Sequence, residues 1–286
     1  MSKHRELFGN AAAAVASSVA WGQETSSVKL DRIAVMSSTF APLLKGMARP
    51  GNPRATVDLM DLAGMVAERF GIHRVEFQQS DFPSTEPAYF EAFRKHMKST
   101  DSQVSQISLE FANLNVSSPD QVIRLETIEL TRRWIDYAAA LGCPRVMVNQ
   151  GDLAPAVRES AVATLKTINR YATAKNIAVV IGNRPHDVPW DVLVDVVRQS
   201  GIRMDPNSGN FADSQSRAAG LAAMYPLAAG NSHIQHVPQK FDTAEAIRIA
   251  KQAGYQGIFT IETVPANGRD PAAAVHGVLD VLLPNI

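Results

Sequence analysis

The chain has one cysteine, Cys143, in 286 residues. That count excludes an internal disulfide and a CxxC metal site, and Cys143 reads as a packed thiol just ahead of a strand. There is no excess of either charge: 28 Lys+Arg face 28 Asp+Glu. A neutral chain carries no electrostatic footprint for nucleic acid or an anionic membrane. No run approaches the roughly 20 apolar residues of a membrane span. HExxH, GxSxG and a P-loop are all missing, so nothing supports a zinc protease, an α/β-hydrolase or an NTPase.

What is present is a core-sized apolar fraction, 45%, arranged as short apolar runs alternating with longer helical patterns. The spacing predicts strands at 33–38, 74–78, 106–111, 145–149, 177–182, 202–205, 233–236 and 258–262. Between them, "TVDLMDLAGMVAERFG" sets Leu59, Leu62, Val66 and Phe70 on one stripe and stops at Gly71. "DQVIRLETIELTRRWIDYAAALG" does the same with Val122, Leu125, Ile128, Ile135 and Gly142. Eight strands separated by helices, without a hairpin signal, predict a single (β/α)8 TIM barrel. A doubly wound open sheet is the alternative. It would want a Gly-rich phosphate loop after the first strand, where "SSTFAPLLKG" stands instead.

The barrel is expected over residues 30–286. Residues 1–29 carry a basic start, an Ala-rich run and a small-x-small end at Ser18-Val19-Ala20. Two readings are open. One is an export leader of the twin-arginine kind, with His4 in the place of one arginine, which implies a periplasmic protein; the other is an Ala-rich helix on a cytoplasmic one. The loop over residues 47–55 is expected to connect the first strand to its helix or to cover the barrel mouth.

Side chains alternate along a strand, so residues two apart share a face. The apolar parity (Val75 and Phe77, Ile107, Leu109 and Phe111, Val146 and Val148, Val179 and Ile181, Ile202 and Met204, Phe259 and Ile261) should meet the helices. The opposite parity then points inward and ends in Glu76, Glu110, Asn149, Gly182, Asp205, Gln235 and Glu262. Carboxylates and amides so placed converge at the C-terminal mouth, where such barrels do chemistry. Buried charges need a metal, a hydrogen-bonding partner or a polar ligand. Oxygen-rich ligands suit Mg2+ or Mn2+, and His233 and His236 are either nitrogen ligands or hydrogen-bonded scaffold residues.

Several stretches carry a resemblance: "VEF", "AALGCPRVMVNQG", "SHIQHVPQKF" and "AGYQGIFTIETVPA". They resemble the xylose-isomerase-like sugar isomerase/epimerase barrels, nearest to the hydroxypyruvate isomerase branch. The branch features are His233-Ile234-Gln235 followed by Pro238 and Lys240, and Gly254-Tyr255 leading to Glu262. The resemblance runs from about Leu30 to the C-terminus. It implies a metal set of Asp205, Gln235 and Glu262, with Glu262 as acid/base. It also implies a fifth-strand Glu where this chain has Gly182, and a His three residues after the strand-six Asp where it has Ser208. With one of three carboxylates gone, a weakly held Mg2+ or Mn2+ and no metal at all are both open. Glu76, Glu110 and Asn149 are expected to contact substrate, as are Asn183, Arg184, His233, His236 and Lys240. The expected ligand is a small sugar or hydroxy-keto acid. The activity is isomerase- or epimerase-like, altered or lost; a carbohydrate-binding barrel without catalysis and a lyase or hydratase of oxidised sugars are the alternatives. Such barrels often form homo-oligomers.

Overall fold

The structure is a computed structural model that describes residues 27–46, 53, 55–111, 113–184, 188–263 and 270–286. The leader-like stretch and most of the loop over 47–55 lie outside them. Strand and helix alternate without exception: β1 (Ile33–Met36), α1 (Leu59–Phe70), β2 (Arg74–Gln78), α2 (Pro87–Ser99), β3 (Gln103–Ser108), α3 (Gln121–Leu141), β4 (Arg145–Met147) and α4 (Arg158–Thr173). The second half continues with β5 (Ala178–Gly182), α5 (Trp190–Ser200), β6 (Arg203–Asp205), α6 (Ser214–Met224), β7 (Asn231–Ile234), α7 (Thr243–Gln252), β8 (Ile258–Ile261) and α8 (Pro271–Asn285). The strands form one parallel sheet, β6-β5-β4-β3-β2-β1-β8-β7.

The seam between β6 and β7 closes it into a barrel. Pro206 has no N–H and interrupts a ladder there, but its carbonyl still accepts from His233 N (2.9 Å), and Ser208 N donates to the His233 carbonyl (2.9 Å). The predicted fold is therefore the observed one. Gly71 and Gly142 end α1 and α3 with φ of 65° and 71°, the left-handed conformation that glycine adopts without a Cβ penalty. On the mouth side, Asp120, Asp213, Asp242 and Asp270 cap α3, α6, α7 and α8 through side-chain bonds to backbone N–H groups. Among the described residues no helix is long and apolar enough to cross a membrane.

The predicted parity holds. Val75, Phe77, Ile107, Leu109, Val146, Val148, Val179, Ile181, Ile202, Met204, Phe259 and Ile261 are all buried in the layer between sheet and helices; Phe111 packs at its edge, half-buried. Two strands begin earlier than their apolar runs. β3 starts at Gln103 and β7 at Asn231, because their inward positions are polar and apolar content does not reveal them. β3 also bulges: Val75 pairs with Val104 but Glu76 pairs with Gln106, so Ser105 is the extra residue.

Candidate active site

The barrel interior holds its polar residues in two tiers. In the deeper one, Glu76, Asp205 and His233 are buried together. The imidazole is clamped between the two acids: Nε2 lies 2.9 Å from Glu76 Oε2 and Nδ1 lies 3.8 Å from Asp205 Oδ2. Glu76 also accepts from Ser108 Oγ (2.6 Å), Gln106 Nε2 (3.1 Å) and Asn231 Nδ2 (3.2 Å). Asp205 Oδ2 accepts from Gln106 Nε2 (2.5 Å) and Asn231 Nδ2 (3.3 Å), while its Oδ1 is buried without a hydrogen-bond partner. Thr260 Oγ donates to Asn231 Oδ1 (2.8 Å) and fixes that amide.

The charge states follow from this packing. Burial alone would push His233 down, but Asp205 and Glu76 outweigh it and hold the imidazole well above its usual range. Burial would raise Glu76, yet His233, with hydrogen bonds from Ser108 and Gln106, takes it below the ordinary value. Asp205 is raised, by burial first and then by the Glu76 charge. Glu76 and His233 therefore form a buried ion pair at neutral pH.

One inward position further along β6, β7 and β8 lies the upper tier. Asn207 Nδ2 (2.6 Å) and Gln235 Nε2 (3.1 Å) both donate to Glu262 Oε2, so the half-buried carboxylate is aimed by two amides. Gly209 packs directly under Gln235, where any Cβ would overlap that side chain. Arg217, fully buried, fixes the loops that carry these groups. It donates to the Ser208 carbonyl (2.8 Å), the Asp242 carbonyl (2.9 Å) and Glu245 (3.0 Å), and its guanidinium lies over Phe241.

The other predicted residues take distinct places. Arg184 and Glu110 pair at the mouth, with Gln79 holding the Glu110 backbone at both N–H and carbonyl. Asn183 knots the loops after β5 and β6: its Nδ2 donates to the Asn207 and Asn210 carbonyls, and its Oδ1 accepts from Asn207 N. Asn149 Oδ1 caps its own turn at Gly151 N. His236 Nδ1 meets Thr243 Oγ (3.0 Å) at the start of α7, and Lys240 Nζ donates to the Phe211 carbonyl (2.6 Å). Of the predicted set, the structure groups Glu76 with Asp205 and His233, Glu262 with Gln235, and Arg184 with Glu110. His236 and Lys240 are engaged in loop structure. Sequence reading missed Gln106, Ser108, Asn231 and Asn207. All four continue the inward parity of strands already identified, and that was the available signal.

Gly182 pairs in register with Asp205. A Cβ there would stand 3.1 Å from the Asp205 carbonyl and 3.5 Å from Met147 Sδ. The Asp205 carbonyl is therefore a tight neighbour of a side chain at this point, with the Met147 sulfur in ordinary contact beside it. Gly182→Glu alone is expected to overpack this point and cost about 1–3 kcal/mol. Adding Met147→Ala should recover part of that loss in urea unfolding and tighten Mn2+ binding over wild type. Equal stability of the single variant and wild type would contradict this packing.

The ligating atoms of Glu76, Asp205 and His233 lie within 4.8 Å of one another, so this group could hold a metal ion. The family profile described as "Xylose isomerase-like TIM barrel" matches residues 66–194, and no curated protein matches the chain. Solved structures share the whole fold at low identity. The D-allulose 3-epimerase from Methylomonas sp. superposes with a TM-score of 0.70 at 14% identity, over 89% of this chain and 98% of its own. A xylose isomerase-like TIM barrel protein from Mycobacterium smegmatis, in complex with magnesium, gives 0.64 at 18% identity, over 89% and 97%. The probable 3-DHS dehydratase of petrobactin synthesis from Bacillus anthracis gives 0.64 at 11%, over 88% and 98%. Residues 66–194 thus match the xylose isomerase-like TIM barrel model, and the complete strand–helix alternation gives the chain the fold of a (β/α)8 barrel.

Proposed function

We propose that this barrel is an isomerase of small sugars or hydroxy-keto acids in which Glu262 is the one acid/base carboxylate. The observation that carries this is the pairing of Glu262 with two amide donors, in a barrel whose fifth strand ends in Gly182, with Met147 of β4 beside it. Inversion at a carbon needs a base on one face and an acid on the other. A single carboxylate can take a proton next to a carbonyl and return it to the neighbouring carbon on the same face. One-base geometry therefore favours 1,2-isomerisation over epimerisation. Glu110, another acid at a strand mouth, is already paired with Arg184, and Asp81, after β2, accepts from Ser37 Oγ and Gln78 N. The Arg184–Glu110 pair offers a guanidinium to a substrate carboxylate that displaces Glu110.

The residues at the mouth fit a divalent cation in part. Asp205, in the tier below, keeps a buried, unpartnered Oδ1 that would face such a cation from beneath, and Gln235 and Glu262 would supply the oxygens at the mouth. Glu76 already accepts at both of its oxygens, which favours the mouth over the deeper tier. Such a cation, when bound, would polarise the substrate carbonyl. On titration with Mn2+, Gln235→Leu is expected to weaken binding by about tenfold, the scale reported for perturbed metal sites; an unchanged affinity would move the site to the lower tier.

The activity test is incubation in D2O with hydroxypyruvate, then with free and oxidised sugars, read by NMR. Deuterium at a single carbon, together with the aldose–ketose or hydroxy-keto partner, is the expected result. Absence of exchange across the panel would refute catalysis of this class. A dehydratase reading shares the first proton transfer, and loss of a hydroxyl from the product would identify it.

A further inference from the structure

At the end of the barrel opposite the mouth, the starts of β2, β3 and β4 and the last turns of α2 and α3 enclose a cavity of about 360 Å3. Its lining includes four cations, Arg74, Arg94, Lys98 and Arg145, and one carboxylate, Asp101. Among the described residues none of the four cations has a carboxylate within ion-pair distance. Arg74 and Arg145 meet neutral acceptors instead: Gln103 Oε1 (2.7 Å) and the Asp31 carbonyl (2.8 Å) for the first, the Ala229 carbonyl (3.3 Å) for the second. In a chain of zero net formal charge this is a local concentration of positive charge. The carbonyl ends of α2 and α3 offset it only in part, since each contributes about half a charge.

Two hydrogen-bonding groups in the same lining are unused. Ser105 Oγ and Arg145 Nε are buried without a partner, and Ser105 is the residue inserted by the β3 bulge. Bulges re-aim side chains and are retained where that matters. Met97, Val104 and Leu141 give the cavity apolar walls. We propose that this cavity, with Arg94, Lys98 and Arg145 at its cations and Ser105 at its floor, is a binding site for a small organic anion carrying two or more charges, separate from the catalytic mouth. Phosphate and polycarboxylate groups share the required chemistry, because both offer several anionic oxygens to guanidinium, ammonium and hydroxyl donors.

The test is calorimetric titration of the full chain with pyrophosphate and with citrate, at ionic strength matched by NaCl, for wild type, the double variant Arg94→Ala/Lys98→Ala and the mouth variant Arg184→Ala. Saturable binding is expected in wild type and in Arg184→Ala, with a loss of at least tenfold in affinity in the double variant. Preference for pyrophosphate would assign a phosphate ligand, and preference for citrate a polycarboxylate. The proposal is overturned if NaCl accounts for all the heat, if the double variant binds like wild type, or if Arg184→Ala abolishes binding. Arg94 and Lys98 are exposed on α2, so their truncation leaves the core intact. The outcome is independent of whether Glu262 is catalytic.

Discussion

Glu262→Gln is expected to lower kcat by about 10²–10⁴-fold, the usual contribution of a positioned general base, with little change in thermal stability. The carboxylate oxygen Oε2 accepts from Asn207 and Gln235, and a glutamine can present its carbonyl to the same two donors. The variant therefore keeps its shape and its place while losing the ability to take a proton. Exchange of substrate hydrogen with D2O should fall in parallel with turnover, since both report the same transfer. KM should change little, because the base acts mainly in the transition state. A variant that exchanges protons at the wild-type rate would place the base elsewhere and remove the one-base reading.

Glu76→Leu is expected to destabilise the fold by about 3–5 kcal/mol, the cost of breaking a buried ion pair from one side. The variant strands His233 against Asp205 alone. It also leaves donors on Ser108, Gln106 and Asn231 without their acceptor. A Glu76→Leu/His233→Leu double variant should be less impaired than the sum of the two single variants, because the uncompensated charge is gone. Urea unfolding of the four proteins checks this; additive losses would show that the pair is not energetically coupled. Its pH dependence has a definite sign. Glu76 is held below the ordinary 4.5, so its contribution is present above that value and fades as pH falls through the depressed pKa. His233 is held above the ordinary 6.5, so its contribution is complete below that value and fades as pH rises through the raised pKa. Asp205 is raised, so its loss has the same sign as that of His233 but begins at its ordinary 3.8 and tilts the plateau downward as pH rises. Stability should therefore fall on both sides of that plateau, between the Glu76 and His233 values, and Glu76→Leu should flatten its acid side.

The strands located well from sequence were those with apolar runs. β2 was placed at its observed bounds, and β5 and β8 within a residue at each end. β3 and β7 were placed late because their first inward residues feed a polar network: Gln106 and Ser108 on one, Asn231 on the other. A polar side chain at an inward position looks like a loop residue until its partners are known. Glu76 and His233 were candidates for substrate contact, with a hydrogen-bonded structural role as the alternative; the structure pairs them with each other.

By itself the sequence determined that the chain is a (β/α)8 barrel and which residues of each strand face inward. That information is local: an extended chain turns alternate side chains to opposite faces, and a helix repeats every 3.6 residues, whatever lies around it. The tertiary structure alone decided which inward residues meet. Around a closed barrel the strands are staggered, so the depth of a residue depends on register with its neighbours rather than on its place in the chain. That stagger put Asp205 in a buried tier with Glu76 and His233 and Glu262 in the tier above with Gln235 and Asn207. It also brought the Met147 sulfur to the space beside Gly182, a substitution no spacing in the sequence could have paired.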